Sequence, residues 1–303
     1  MKELVVISGK GGTGKTSIVA SFAALARGAV LADCDVDAAD LHLVLAPEIE
    51  RTEAFKGGKK ARIRPELCKG CGMCLKLCRF GAVVSRKSRS DAEPQTYCID
   101  PISCEGCGVC AEFCPSDAIE LEEVVNGEWY LSRTRFGPML HAKLGIAEEN
   151  SGKLVTTVRG QARKVAEQEG IGLIIADGPP GIGCPVIASI GGSDLVLIVT
   201  EPTLSGLHDL ERVRALARHF EVPAVVCINK YDLNPEVTTE IATRAAALDA
   251  PVVGKIRYDP AVTKAQIASA SVIEYTTGPV SHDIRALWQK VAAALGQPDG
   301  AST

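Results

Sequence analysis

Short, largely apolar runs recur along the chain, each closed by a polar residue or a glycine. They lie at residues 4–7, 29–32, 173–176, 195–200, 225–228 and 252–256. Helical patterns stand between them, at 17–27, 155–168, 205–220 and 283–295. Strands that are apolar on both faces and alternate with helices are typical of a parallel sheet covered on both sides. The pattern therefore predicts an α/β fold in which helices flank a mostly parallel sheet.

The last helical pattern gathers its apolar side chains on one face, at Ile284, Leu287, Trp288, Val291 and Leu295. An amphipathic helix could lie on a membrane surface, which usually requires a strongly basic opposite face. Only Arg285 and Lys290 are basic in this stretch. We therefore expect the helix to pack against the sheet rather than bind a membrane.

A glycine-rich stretch, Gly9-Lys10-Gly11-Gly12-Thr13-Gly14-Lys15-Thr16, joins the first strand to the first helix. The pattern G-x-x-x-x-G-K-T between a strand and a helix predicts a phosphate-binding loop, and a ligand-free turn is the plainer alternative. Backbone N–H groups would surround the phosphates, Lys15 would reach the outer ones, and the Thr16 hydroxyl would bind Mg²⁺. The expected nucleotide-binding residues are Gly11, Gly12, Thr13, Gly14, Lys15, Thr16 and Ser17.

The second lysine of the loop, Lys10, makes it resemble the deviant phosphate loop of the MinD/ParA class of ATPases, which includes the nitrogenase iron protein. The resemblance implies binding and hydrolysis of ATP with Mg²⁺. It also implies a nucleotide-dependent dimer, either of identical chains or of close paralogues, in which Lys10 reaches the partner's nucleotide. Lys10, Lys15, Asp35 and Asp177 are then the expected catalytic residues.

Polar residues that follow three strands fit the same resemblance. Asp35 matches the acidic residue near the metal and the attacking water, whereas the neighbouring aspartates Asp33, Asp37 and Asp40 could instead cap a helix. Asp177 closes a buried strand, where an aspartate can hold magnesium through water. Asn229 matches the base-contacting asparagine of the family. Because residues 229–232 also resemble the guanine-reading motif of GTPases, GTP is a second option.

Eight cysteines form two copies of one motif, 36 residues apart. Each copy matches the bacterial ferredoxin run, in which three cysteines bind one [4Fe–4S] cluster and the fourth binds the other. One predicted quartet is Cys68, Cys71, Cys74 and Cys114, and the other is Cys104, Cys107, Cys110 and Cys78. Zinc usually takes two C-x₂-C pairs and disulfides suit secreted chains, so both are weaker alternatives.

The motif copies divide the chain. We predict a nucleotide-binding domain at 1–55 and 132–303, interrupted by a ferredoxin domain at 56–131. Within this scheme 47–60 is a polar boundary, and Asn126-Gly127 predicts a hairpin turn. The basic stretch 85–90 is a solvated loop or a docking patch for an acidic electron donor. Residues 132–138 and 149–153 resemble loops, and Arg133 and Arg135 of the first either bind phosphate or a partner, or form surface ion pairs.

Cys184 stands seven residues after Asp177. In the nitrogenase iron protein a cysteine at this spacing binds a cluster shared across the dimer. That protein uses two such cysteines per subunit, and no second one is found here. A transient cluster or metal site at Cys184 and a small buried side chain are equally good predictions.

Composition narrows the function classes. The chain has 303 residues, a formal net charge of −4, 46% hydrophobic and 4% aromatic residues. Mild acidity argues against non-specific nucleic-acid binding, and few aromatics argue against base stacking. No apolar run approaches the length of a membrane span, and the first strand begins at once, so we expect a cytoplasmic protein.

Together these features predict an ATPase that couples nucleotide state to electron transfer or to iron–sulfur or metal cofactor assembly. Its partner would be a redox or iron–sulfur acceptor protein whose identity the sequence leaves open. The alternatives are a cluster carrier with nucleotide-controlled release, and a MinD-like positioning ATPase whose clusters sense redox state.

Overall fold

The computed structural model describes residues 1–26, 28–86, 96–145 and 150–296. In it the apolar runs form strands of one large sheet, and further strands form two small sheets. The strands are β1 (Lys2–Ser8), β2 (Val30–Asp33), β3 (Glu48–Phe55), β4 (Gly58–Ile63), β5 (Val83–Arg86), β6 (Thr96–Ile99), β7 (Ile119–Val124), β8 (Gly127–Thr134), β9 (Gly137–Leu144), β10 (Leu173–Pro180), β11 (Leu195–Thr200), β12 (Ala224–Asn229) and β13 (Val252–Ile256). Most of the basic stretch 85–90 lies outside the described residues.

The helices are α1 (Lys15–Ala26), α2 (Leu41–Leu45), α3 (Met73–Leu77), α4 (Val109–Glu112), α5 (Ser151–Glu169), α6 (Cys184–Ile190), α7 (Leu204–His219), α8 (Pro235–Ala247), α9 (Ala261–Ile267), α10 (Val272–Tyr275) and α11 (Pro279–Ala294). No helix of the described residues has the length and apolarity to cross a bilayer.

The large sheet has nine strands in the order β13-β12-β11-β1-β10-β2-β9-β8-β3. Pairing is parallel from β13 through to β9. This confirms the predicted α/β fold with a mostly parallel sheet. Because β1 lies between β10 and β11, the loop after β1 stands at the middle of the carboxyl edge, where ligands bind in such sheets.

The closing helix α11 packs into the core as predicted. Ile284, Leu287 and Val291 are each at most 2% exposed. Trp288 lies against the fully buried Phe22 of α1, with ring centroids 4.9 Å apart. These contacts bury the apolar face of α11 against α1 and the sheet.

The chain divides into two compact units. The first comprises Met1–Glu53, Trp129–Leu144 and Ser151–Thr303, and contains the nine-stranded sheet. The second comprises Ala54–Glu128 and Gly145–Asn150, with two antiparallel pairs, β4–β7 and β5–β6, and helices α3 and α4. Its core is small, formed by Ala61, Ile63, Cys74, Val83, Tyr97 and Ile119.

One sequence prediction in this region is wrong and another is incomplete. Residues 47–60, expected to be a polar boundary, contain the division between the units at Glu53 and Ala54, but they also form β3 and the start of β4. The Asn126-Gly127 pair does not close a hairpin, because β7 pairs with β4 whereas β8 joins the large sheet. The Asn126 side chain instead accepts hydrogen bonds from the backbone N–H groups of Gly57 and Gly58. Local turn chemistry was thus outweighed by pairing with distant segments.

Residues 132–138, expected to be a loop, are instead the end of β8, a short turn at Arg135 and Phe136, and the start of β9. Both arginines of this segment are engaged in ion pairs rather than free for phosphate. Arg133 contacts Glu50 and Glu169 at 3.2 and 3.1 Å, and Arg135 donates to Glu274 at 2.6 Å. The surface ion-pair alternative therefore holds.

The α1–α11 contact predicts a stability effect. Phe22→Ala should lower the free energy of unfolding by about 3–5 kcal/mol, because the surrounding core cannot fully close over the lost ring. Urea unfolding measures the change, with Leu233→Ala as control because Leu233 is 60% exposed. Equal midpoints for the two variants would contradict the proposed packing.

Candidate nucleotide site and cysteine sites

The glycine-rich loop adopts a conformation that glycine makes possible. Gly12 and Gly14 have φ of +77° and +90°, a region that side chains disfavour. At Gly14 a Cβ would also lie 2.5 Å from Asn229 Nδ2. Backbone in this form directs successive N–H groups toward one point and suits an anion.

A cavity adjoins this loop in the first unit and brings most of the predicted residues together. Its lining includes Gly11, Gly12, Gly14, Lys15, Thr16, Ser17, Asp35, Asp37, Ala38, Asp40, Leu43, Val44, Pro179, Pro180, Pro185, Gln266 and Ile267. The cavity thus joins the ends of β1, β2 and β10 with α9. Thr13 is buried beside it.

Asn229 does not face this cavity. Its Nδ2 donates to the Thr13 carbonyl at 2.7 Å, and its Oδ1 accepts from the Lys230 backbone N–H at 3.0 Å. The Lys230 ammonium in turn lies 3.3 Å from the Gly12 carbonyl. In this structure Asn229 supports the loop, and its contact with a base stays a prediction.

Two aspartates are buried side by side at the ends of adjacent strands. Asp177 on β10 is registered with Asp33 on β2. Burial raises the pKa of Asp177 to about 6, although the charge of Lys15 and the Thr16 hydroxyl oppose this. Burial, with the charge of Asp177, raises the pKa of Asp33 well above its ordinary value.

Oxygen atoms at this place lack partners among the described residues. Asp177 Oδ1 and Thr13 Oγ1 are buried without a hydrogen bond. A buried, unpaired carboxylate oxygen is costly unless a ligand satisfies it. Mg²⁺ prefers oxygen ligands and retains several waters, so Thr16 and Asp177 fit a magnesium ion bound with phosphate.

The aspartates of the acidic segment after β2 differ in role: Asp33 supports the fold, whereas Asp35 is accessible from the cavity. Asp33 accepts from the N–H groups of Asp35 and Leu41, both at 3.2 Å, so it supports the start of α2. Asp40 occupies the N-cap position without a side-chain bond. Asp35 lines the cavity half-buried; burial raises its pKa, which the charge of Lys15 partly opposes.

The Lys10 side chain points toward the start of α7, and Lys10 does not line the cavity beside the phosphate loop. Its ammonium lies 3.4 Å from Thr203 Oγ1 and 3.4 Å from Ser205 Oγ. Within the described part of the chain it forms no ion pair. Its charge therefore has no carboxylate partner among the described residues.

Sequence reasoning missed Gln266. Its Nε2 donates to Ser17 Oγ at 2.9 Å, and it lines the cavity with Ile267. The two bonded residues are 249 positions apart in sequence. No motif marks Gln266, so only the folded chain reveals it.

In the second unit the predicted cysteine quartets line separate cavities. The Cys68 site comprises Cys68, Cys71, Cys74 and Cys114, which share a cavity with Lys69, Met73 and Tyr97. The Cys104 site comprises Cys104, Cys107, Cys110 and Cys78, which share another with Arg79 and Glu105. Each fourth cysteine thus comes from the other motif copy. All eight are free thiols.

Backbone N–H groups point at the sulfurs. Ala118 N–H donates to Cys114 Sγ at 3.3 Å, and Ala61 N–H to Cys104 Sγ at 3.4 Å. Burial raises the pKa of the Cys78 thiol, but N–H groups of residues 80–83 lower it below its ordinary value. The N–H groups of 116–118 act in the same sense on the pKa of Cys114, against its burial. These contacts favour the thiolate form of Cys78 and Cys114, whereas burial raises the pKa of Cys74 and Cys110.

Close backbone packing at the Cys104 site requires glycine. Gly106 has φ of +63°, and a Cβ there would lie 1.8 Å from the Lys59 carbonyl oxygen. Among the described residues, no three Cys, His, Asp or Glu side chains are arranged to hold a single metal ion.

The remaining cysteines lie elsewhere. Cys34 and Cys227 are buried, and burial raises the pKa of both thiols. Cys184 is exposed at the start of α6, so the prediction of a small buried side chain is wrong. A cluster or metal at Cys184 stays a prediction.

Asp177 gives the nucleotide site a pH dependence. Because a protonated carboxyl binds Mg²⁺ poorly and the pKa of Asp177 is about 6, apparent Mg²⁺ affinity should fall roughly tenfold from pH 7 to pH 5. Magnesium titration of fluorescent nucleotide binding measures this. Asp177→Asn should bind Mg²⁺ weakly without this slope, whereas Asp37→Asn should keep it. An unchanged slope in Asp177→Asn would contradict the assignment.

Comparisons with known proteins agree with this geometry. Residues 4–272 match the family model described as the CobQ/CobB/MinD/ParA nucleotide binding domain. A relative in Methanocaldococcus jannaschii, the uncharacterized protein MJ0578, is 34% identical over 235 residues, which cover 77% of this chain and 79% of the relative. A second from that organism, MJ0579, is 24% identical over 267 residues, covering 77% and 83%.

Solved structures share the fold at low identity. The cell division ATPase MinD of Pyrococcus furiosus has a TM-score of 0.56 and 16% identity, covering 96% of this chain and 98% of its own. MinD of Pyrococcus horikoshii, complexed with Mg-ADP, has a TM-score of 0.55 and 16% identity, covering 96% and 95%. With the phosphate loop and buried aspartates in place, the chain belongs to the CobQ/CobB/MinD/ParA family and is a P-loop ATPase of the MinD/ParA type.

Proposed function

We propose that this protein is a dimeric ATPase that carries two [4Fe–4S] clusters and couples its nucleotide state to electron transfer. The observation that carries the proposal is the pairing of each predicted cysteine quartet around one cavity, in a chain that also has the phosphate loop. Iron–sulfur or metal cofactor assembly is the other process that such coupling could serve.

The nucleotide-binding residues have distinct tasks. The N–H groups of Gly12 and Gly14 bind phosphate oxygens, and Lys15 neutralises their charge. Thr16 and Asp177 would hold Mg²⁺, which would neutralise phosphate charge when bound. Asp35 lies in the same cavity, where it orients the attacking water. ATP is favoured over GTP because Asp232, which would read guanine, already accepts from the Tyr258 N–H at 2.8 Å.

Lys10 supports the dimer. Its ammonium is held by hydroxyls of Thr203 and Ser205, which leave its charge intact. A cation so placed stabilises negative phosphate charge across an interface between two chains. MinD of Aquifex aeolicus has been solved alone and in a MinC:MinD complex, and both share this fold. By this analogy the dimer also presents a surface to an acceptor protein.

The cysteine sites fit iron–sulfur clusters by donor chemistry. Each supplies four thiols, one of which has its pKa lowered by N–H groups: Cys114 in the Cys68 site and Cys78 in the Cys104 site. Ile63, Val83 and Ile119 keep water from the inner side. A bound [4Fe–4S] cluster would supply one-electron redox chemistry, and hydrogen bonds to its sulfurs would tune its potential. Lys15 and Asp35, which would respond to ATP, belong to the first unit, whereas the cysteine sites belong to the second.

A carrier function has its own support. Cys71 and Cys107 are exposed, one in each quartet, and Cys184 is exposed as well. Exposed thiolates make a cluster accessible to an accepting protein. Delivery of a cluster to an apo-ferredoxin that depends on ATP, without net electron transfer, would favour a carrier over an electron-transfer ATPase.

Anaerobic purification followed by ATPase assays tests the proposal. We expect about eight irons and eight sulfides per chain, and an ATPase rate that changes when the clusters are reduced. A colourless, iron-free preparation, or zinc in either quartet, would overturn the cluster proposal. Equal rates in both redox states, with no acceptor reduced, would overturn the coupling.

The cross-copy pairing makes a separate prediction. Cys78→Ser should disturb the cluster of Cys104, Cys107 and Cys110 and leave the other intact, because Cys78 lines that cavity. Iron analysis and electron paramagnetic resonance should show loss of about half of the signal. Cys98→Ser, in β6 of the same unit, is the matched control and should retain full iron. Equal loss from both clusters would argue against the pairing.

Asp35 and Asp37 allow a matched test of hydrolysis. Asp35→Asn should bind ATP within about threefold of the parent, yet lose at least about a hundredfold in rate, because it acts on the attacking water. Asp37 lines the same cavity but is exposed, so Asp37→Asn should change the rate by less than about threefold. Steady-state phosphate release measures both, and similar losses would contradict the assignment.

A further inference from the structure

The two motif copies carry opposite charges at equivalent positions. With the 36-residue offset, Lys69 corresponds to Glu105, and Lys76 corresponds to Glu112. The cysteines between them are otherwise spaced alike. The two cysteine sites therefore share a framework but differ in the sign of the charge at these two positions, and Arg79 also lines the cavity of the Cys104 site.

The structure places these charges at the sites themselves. Lys69 and Met73 line the cavity of the Cys68 site, and Lys76 follows Met73 by three positions in α3, on the same side of the helix. Glu105 and Val109 line the cavity of the Cys104 site. Glu112 follows Val109 by three positions in α4. We call Lys69 and Lys76 the basic rim, and Glu105 and Glu112 the acidic rim. The two rims occupy equivalent positions in the two motif copies.

The basic rim is not neutralised within the second unit. Arg62 contacts Glu122 at 2.9 Å, and Lys59 stands opposite Glu123 in the β4–β7 ladder. Lys69 and Lys76, by contrast, are exposed and form no ion pair or side-chain hydrogen bond with the described residues. Their charge acts outward.

Apolar side chains lie beside these lysines. Met73 is 42% exposed and Leu75 is 43% exposed, and Cys71 is exposed as well. An apolar centre with a charged rim is typical of a transient protein interface. A redox site at such a surface favours a partner of opposite charge, which is steered to it and oriented before transfer.

We propose that Lys69 and Lys76 make the Cys68 site the docking place for an acidic redox protein. The inference rests on the proposed function. One electron leaves the reduced acidic protein, which is oxidised, and would reduce the [4Fe–4S] cluster that the Cys68 site holds under the proposed function; no covalent bond forms. The Cys104 site has Glu105 and Glu112 at the positions of the two lysines, so it lacks the basic pair, and the acidic protein docks at the Cys68 site.

Stopped-flow reduction tests the docking. A reduced acidic plant-type [2Fe–2S] ferredoxin is mixed anaerobically with iron-loaded protein at low salt. K69E/K76E should lower the second-order rate by at least about tenfold, and the difference should shrink at about 0.5 M salt. K164E/K290E makes the same charge change at exposed positions of the first unit and should stay near the parent rate. The second-order rate of Glu112→Lys should equal or exceed that of the parent protein.

Zero-length carbodiimide cross-linking supplies a readout that needs no transfer. It joins lysine amines to carboxylates in contact, so the parent protein should form links to the ferredoxin at Lys69 and Lys76. Links mapped only to other lysines, or equal rates for K69E/K76E and K164E/K290E with equal iron content, would overturn the docking and leave the proposed function standing. Protection of both lysines by single-stranded DNA and not by ferredoxin would also overturn it.

If the preparation holds no iron, the proposed function fails by itself. Cross-linking then decides separately whether the basic rim binds an acidic protein. The two failures are therefore distinguishable.

Discussion

Asp33 and Asp177 stand opposite each other at the ends of adjacent parallel strands, and both are buried. Two carboxylates so close cannot both be charged cheaply in a medium of low dielectric constant. Lys15 opposes their repulsion in part, and a divalent cation would oppose it further. A divalent cation bound with phosphate at this place would therefore lower the electrostatic energy of the two carboxylates. The phosphate loop, the sheet order and the α2 segment all serve to hold this arrangement.

The second unit faces a different constraint. Its core contains six buried residues, one of them a cysteine, and five further cysteines pack against it: Cys68, Cys78, Cys104, Cys110 and Cys114. Small domains with so little apolar core usually need cross-links or metal for stability. Thiols that surround two cavities are placed to supply such a link. Folding of this unit and loading of its cysteine sites are therefore expected to be coupled.

The sequence predicted the parts in which local pattern and tertiary structure agree. Buried strands, the phosphate loop and α11 follow from apolar runs and glycine spacing, and the family match bears out the ATPase. Strand pairing in the 47–60 region and around Asn126 could not be predicted, because it depends on segments far apart in the chain. Gln266 carries no motif and contacts Ser17 only through the fold. The base contact of Asn229 is untested, since its amide here bonds to Thr13.

The ladder between β4 and β7 has a consequence for the origin of this architecture. Gly58 is registered with Val124, and Asn126 binds the backbone of Phe55, Gly57 and Gly58, so the first and last residues of the cysteine-bearing segment lie side by side. A segment whose ends meet adds little loop-closure entropy to its host, whatever its length. It can be acquired or lost in evolution as a cassette, with a short turn left in its place. The cysteine-bearing segment is thus joined to the chain at one place, between β3 and β8 at the edge of the sheet, and leaves the parallel strands uninterrupted.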